Sequence, residues 1–263
     1  MPTDFIALFS PKNLILFVVV FARLSGLMTT APLISTYPIP IQIKTWFMAM
    51  VAFIMFPIVL AKVGFQIPTT MPELTVILLK EFIVGYTIGF IANIVFIGVE
   101  ISADLVSMQM GLTAAQAMNP MTGDTSSILT QAYTIIAAIV FIGIGGYNWI
   151  FTALFKSFQV IHPGYGFLIS GTFTHNVILL TCQIFEIGVG LALPIFSVLL
   201  IMDVLLGFVA KMMPKMNIFM VSLPAKIFLG LSLFIMLLPA MSQQIQILFG
   251  RYLNNILEIL GGQ

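Results

Sequence analysis

The sequence predicts an all-α membrane protein in a single domain over residues 1–263, with about six long apolar helices and an amphipathic C-terminal helix. Composition is the first reason. Of the residues, 60% are hydrophobic and 7% charged, where a soluble domain averages about 25% charged. Run length is the second reason: apolar runs recur, each near or above the ~20 residues that cross a hydrocarbon core of ~30 Å. Proline placement is the third. Prolines lie between the runs, where a missing backbone donor and a restricted preceding residue end a helix.

The first run, Asn13–Ile34, follows Met-Pro-Thr-Asp and carries Arg23 inside it. A cleaved signal peptide begins with a basic region instead, so a retained helix is expected. Pro32, Pro38 and Pro40 close this run, and Thr45–Val63 is the second. Pro68 and Pro72 precede the third, Leu74–Val99. The fourth, Ile128–Phe155, stops before Pro163-Gly164 and Gly166. Pro214 separates the fifth, Asn176–Val209, from the sixth, Ile218–Met241. Pro57, Pro194 and Pro239 lie within or near the ends of runs and predict kinks or breaks. A bilayer tolerates those only where protein re-satisfies the freed carbonyls. In the tail, Gln243–Leu260, Ile245, Leu248, Tyr252, Ile256 and Ile259 recur at helical spacing. Its Gln, Asn, Arg251 and Glu258 make it amphipathic rather than spanning.

Several function classes are excluded. The net charge of +1 gives no basic field for nucleic acid. Cys182 is alone, and His162 and His175 lack metal-ligand spacing. No nucleophile elbow, phosphate loop, HExxH or paired-cysteine signature occurs. No metal, cofactor or enzymatic activity is expected. Lys12, Lys44, Lys62, Lys156, Lys211, Lys215 and Arg251 fall on loops of both parities. The positive-inside count of an ordinary six-span transporter is cleaner than that.

Seven ionisable residues, Arg23, Lys80, Glu81, Glu100, Asp104, Glu186 and Asp203, sit in or at the edges of apolar runs. Each costs roughly 2.5–3.5 kcal/mol at a bilayer centre, so they should be paired, buried against protein, or near water. Lys80 and Glu81 are neighbours and point to different faces, so each needs a partner elsewhere. Glu100 and Asp104 share a face and repel; Arg23 or Lys80 are candidate partners. A proton or ion relay is one reading of this set. Inter-helix or inter-subunit ion pairing is the other, favoured because no further acid or histidine continues the face. Gly85 and Gly89, and the looser pair Ala103 and Ser107, have the spacing of close helix packing.

Between Glu100 and Ser127 the chain turns polar, glycine-containing and methionine-dense, with Asn119-Pro120 and Thr122-Gly123-Asp124. Met108, Met110, Met118 and Met121 fall within 14 positions. Methionine adapts to irregular partners, which suits a conformable seal and a packed helix equally.

Residues 211–231, Lys-Met-Met-Pro-Lys-Met-Asn-Ile-Phe-Met-Val-Ser-Leu-Pro-Ala-Lys-Ile-Phe-Leu-Gly-Leu, closely resemble the signature region of the FliR family of flagellar biosynthetic proteins. The virulence type III secretion counterpart, SctT, is similar. Arg23-Leu-Ser-Gly26, Ala31-Pro32, Pro40, Glu81, Gly85, Gly89, Gln109-Met-Gly111-Leu112, Asn119-Pro120 and Pro194 match in order. Lys211, Lys215, Asn119, Ala103, Ser107, Ala114 and Ala117 depart from the family pattern while keeping small or polar character. The resemblance implies a subunit of the type III export gate, of bent helical hairpins stacked with FliP and FliQ around a channel, with FlhB associated. It implies unfolded flagellar proteins as cargo, membrane lipid around the assembly, and a place in the bacterial inner membrane at the flagellar basal body. It also implies that a segment of about 106–124 plugs the closed channel, with Gly111 and Gly123 as hinges. Met108, Met110, Leu112, Met118 and Met121 would fill the pore, with Asn119 and Pro120 between them. The charged residues then become subunit-facing. A virulence gate, a six-span secondary transporter and a purely structural nucleator are the alternatives.

Overall fold

The computed structural model describes residues 10–35, 39–62, 70–113, 127–163, 171–213, 215 and 217–261. The described elements are all helices: α1 (Pro11–Thr30), α2 (Ile41–Lys62), α3 (Met71–Met110), α4 (Ile128–Gly143), α5 (Gly146–Val160), α6 (Gly171–Met212) and α7 (Ile218–Gly261). Five of them, α1, α2, α3, α6 and α7, are long and apolar enough to cross a membrane; α4 and α5 together pass as a sixth. The all-α membrane architecture expected from composition is the one observed.

Three boundaries differ from the sequence reading. The fourth run is two helices, because Gly145 sits in the left-handed region at φ 72° and caps α5. Its apolar neighbours hide that stop from hydropathy. Residues 100–110 continue α3 rather than leaving it. The amphipathic tail is the end of the 44-residue α7. Pro57, Pro194, Pro224 and Pro239 do not break their helices.

The chain divides into two compact units. The first comprises residues 1–93, 145–180 and 250–263. Its core joins Leu16, Val20, Leu24 and Leu27 of α1 to Ala52 and Phe56 of α2 and Val84 and Ile88 of α3. Ile150, Leu154 and Phe158 of α5 are buried in the same unit. Helices α1 and α3 touch backbone to backbone. A Cβ on Gly26 would land on the Phe82 carbonyl oxygen, and one on Gly85 on the Arg23 carbonyl oxygen. One on Gly89 would lie 2.6 Å from the Leu27 carbonyl oxygen. The Gly85–Gly89 pair therefore serves close packing, with Gly26 as its counterpart on α1. Thr30 donates to the Tyr86 carbonyl at 2.9 Å along the same seam.

The second unit comprises residues 94–144 and 181–249. Here Gly98 and Gly188 receive each other's isoleucine neighbours: a Cβ on either would meet Ile187 or Ile101 at 2.6 Å. Phe96 of α3, Phe141 of α4 and Phe249 of α7 form a buried triangle with centroids 5.1–5.5 Å apart, spacings that favour aromatic pairs. Tyr133 of α4 stacks on Phe234 of α7 at 4.9 Å.

Because backbone cannot yield as a side chain can, Gly85→Leu is expected to lower stability by about 3 kcal/mol or more. Gly143→Ala adds a Cβ that meets nothing within 4 Å and should be neutral or slightly stabilising. Thermal unfolding of the two variants in detergent checks the contrast.

Candidate functional site

Two polar constellations stand out from the apolar packing. The first centres on Arg23, in the middle of α1 and fully buried. Its Nε donates to Glu81 Oε2 of α3 at 2.6 Å. Its Nη1 donates to Ser157 Oγ of α5 at 2.9 Å, and its Nη2 to the Ile161 carbonyl at 3.0 Å. The Phe158 ring lies 3.9 Å from Cζ, a cation–π contact that covers a guanidinium face. Ser157 Oγ donates onward to the Leu154 carbonyl at 2.6 Å. One guanidinium thus joins α1, α3 and the end of α5. A buried pair of this kind adds little net stability but is costly to break.

The second constellation surrounds the last turns of α3. Ser107 and Ser127 hydroxyls lie 2.6 Å apart. Ser127 and Thr130 hydroxyls lie 2.7 Å apart, and Thr130 Oγ1 donates to Asp104 Oδ1 at 2.7 Å. The carboxylate accepts only, so the chain of donors runs from Ser107 through Ser127 and Thr130 to Asp104. Ser127 also caps α4, accepting from the Thr130 backbone N–H at 3.0 Å. The last turns of α3 are therefore tied to the start of α4. On another side of α3, Gln109 Nε2 donates to Asp203 Oδ2 of α6 at 2.8 Å, and Lys226 of α7 pairs with Asp203 Oδ1. Met110 is buried against Gly230, whose added Cβ would meet its sulfur at 2.7 Å. Gly111 follows at φ 80°, a left-handed turn that glycine adopts without strain.

The charged residues singled out in the sequence thus separate. Arg23 and Glu81 pair; Lys80 is half-buried. Asp104 is exposed yet takes Thr130, not a basic partner. Glu100 is half-buried and Glu186 exposed. Asp203 joins three helices. In the methionine-dense stretch, Met108 is exposed, Met110 is core, and Gly111 and Leu112 are half-buried. Met118, Asn119, Pro120, Met121 and Gly123 lie outside the described residues. Sequence reasoning missed Ser157, Ser127, Thr130 and Lys226 as partners. Hydroxyls at helix spacing leave no pattern that hydropathy detects; Ser127 ahead of an apolar run is the one usable signal, as an N-cap. Among the described residues, no cluster of three or more His, Cys, Asp or Glu could hold a metal ion.

Comparison with known proteins gives one family. The family model described as bacterial export proteins, family 1, matches residues 14–252. The chain is similar to the flagellar biosynthetic protein FliR of Escherichia coli K12, 26% identical over 90% of each chain. It is similar to FliR of Bacillus subtilis 168, 28% identical over 86% of each. It also resembles the surface presentation of antigens protein SpaR of Shigella flexneri, 31% identical over 59% of each.

Arg23→Leu is expected to cost about 3–5 kcal/mol, because Glu81 loses its guanidinium in a dry interior. Combining it with Glu81→Leu should recover most of that loss. Thermal unfolding of the two variants measures the recovery, and equal losses in both would contradict the pairing argument. Ser127→Ala removes a helix cap and two buried hydroxyl contacts. It should expose the first turn of α4 to faster amide hydrogen exchange, by about 1–3 kcal/mol.

Proposed function

Since the chain belongs to the bacterial export proteins of family 1, we propose that it is a subunit of the flagellar type III protein export gate. With FliP and FliQ, and beside FlhB, it forms the channel through which unfolded flagellar proteins cross the bacterial inner membrane at the basal body. That membership, spanning nearly the whole chain and joined to several membrane-length apolar helices, is the observation that carries the reading. The flagellar names of its relatives support the flagellar use. The match to SpaR favours a second reading, the corresponding gate of a virulence type III secretion system.

The segment 108–122 plugs the closed channel. A pore for unfolded chains is wide, so an idle gate must hold back ions with something that fits irregular space. Methionine side chains do this without a fixed partner. The tie between Ser107 and Ser127 at 2.6 Å supports the reading, because it holds the end of α3 beside the start of α4, where a plug would need its base. Met110 roots the segment; Met108, Leu112, Met118 and Met121 supply the apolar filling. No phosphate-binding motif is present in the sequence, so the energy for transport comes from another part of the machine.

The test is deletion of Gly111–Met121 in the full complex, with ion leak across the membrane measured in idle cells. Leak should rise while unlike partners still co-purify with the shortened chain. Unchanged leak with normal assembly would remove the plug role. Failure of the intact chain to co-purify with any unlike subunit would remove the gate itself.

A further inference from the structure

We propose that the outer face of α6 docks an apolar helix of an unlike subunit, one that carries a lysine or arginine level with Glu186. The proposal rests on the reading that the chain is built into a gate of several subunits. It adds which face meets a partner and what that partner must carry.

The two faces of α6 differ. Ile184, Ile187, Leu191, Ile195 and Leu199 are buried and recur every three or four residues. They form the inner face, where Ile187 packs over Gly98 of α3. Cys182, Glu186, Gly190, Leu193, Ser197 and Leu200 recur at the same spacing on the outer face, and all are exposed.

Two acceptors sit on that outer face one turn apart. Glu186 makes no hydrogen bond or ion pair among the described residues. Pro194 lies inside the helix and has no N–H to give the Gly190 carbonyl, its partner four residues back. Both groups lie within the apolar stretch Ile178–Met212. The second unit offers no cation to serve them. Lys226 is committed to Asp203, and Lys211 lies about 37 Å along the axis of α6, with Lys215 beyond the end of the helix.

Neither simple solvent fits this face. A carboxylate and a freed carbonyl are both costly against hydrocarbon. Water would serve them but would also meet Phe185, Leu193 and Leu200, which are exposed apolar side chains. An apolar helix with one cation satisfies both demands, since an ammonium or guanidinium carries several donors. A Cβ on Gly190 meets nothing within 4 Å, so the partner can approach closely at that level.

The test uses the purified full complex. The photo-crosslinker p-benzoylphenylalanine is placed at Cys182, one turn before Glu186, and the residue it captures is mapped by mass spectrometry. Capture should fall on a membrane helix of an unlike subunit, with a lysine or arginine within one turn of the captured residue. Capture of lipid, of a second copy of this chain, of a helix without such a cation, or of nothing overturns the proposal. Glu186→Lys should lower recovery of that subunit at least about tenfold. Reversing the mapped cation to glutamate in the Glu186→Lys background should restore recovery to within about twofold of the parent. Parental recovery with Glu186→Lys, or no rescue by the exchange, overturns the pairing. If Glu186→Lys does not accumulate, the crosslink to the unsubstituted Glu186 chain decides alone. Failure of the intact chain to co-purify with any unlike subunit removes the gate reading and this inference together.

Discussion

A guanidinium with no exposed surface must find its partners inside the protein, and that demand organises the first unit. Arg23 lies mid-helix in α1 with Glu81, Ser157, the Ile161 carbonyl and the Phe158 ring around it. Those partners come from α3, from α5 and from the residue that follows α5. They can meet only if α1 and α3 approach closely, and Gly26 and Gly85 remove the side chains that would hold them apart. The charge and the glycines are therefore one device. The glycines bring the backbones together, and the register in which they meet is one that places Glu81 against Arg23.

The second unit solves the same problem with weaker, more numerous contacts. Its apolar core is the Phe96–Phe141–Phe249 triangle and the reciprocal Gly98–Gly188 packing. Its polar contacts collect where α3 ends. Ser107 reaches α4, Gln109 reaches α6, and Met110 packs against α7. Successive positions of one helical turn point in different directions, so one short stretch can dock on three neighbours. The end of α3 is thereby held in one register against α4, α6 and α7.

How much of this was legible in the sequence follows from the kind of signal each feature leaves. Long apolar helices are written in composition and length, and they were found, as was the close-packing pair Gly85 and Gly89. Arg23 and Glu81 were singled out because a charge in an apolar run is conspicuous, but their pairing was not, since 58 positions separate them. Partner choice across such a distance depends on helix registers that a single sequence does not encode locally. The split of the fourth run at Gly145 was missed because its flanks are as apolar as a span. The hydroxyl ladder from Ser107 to Asp104 was missed because serine and threonine are unremarkable residue by residue. They gain meaning only when two antiparallel helices bring them within hydrogen-bonding distance.

The distribution of the remaining charge bears on what surrounds the chain. Only 22% of the apolar window of α6 and 11% of that of α7 are buried, against 67% for α3. On α2 the exposed face carries Trp46, Met50, Phe53 and Ile54, and lipid or apolar protein satisfies it equally. Helix α6 is different: Glu186 is exposed beside the exposed Phe185. A carboxylate facing hydrocarbon costs roughly 2.5–3.5 kcal/mol on insertion scales, and no apolar lining reduces that. The face of α6 that carries Glu186 therefore suits water or a protein partner with a complementary group, not lipid. The same logic accounts for basic residues on connections of both parities. Charge asymmetry orients helices that meet lipid on all sides, and it weakens for a helix face that, like that of Glu186, does not suit lipid.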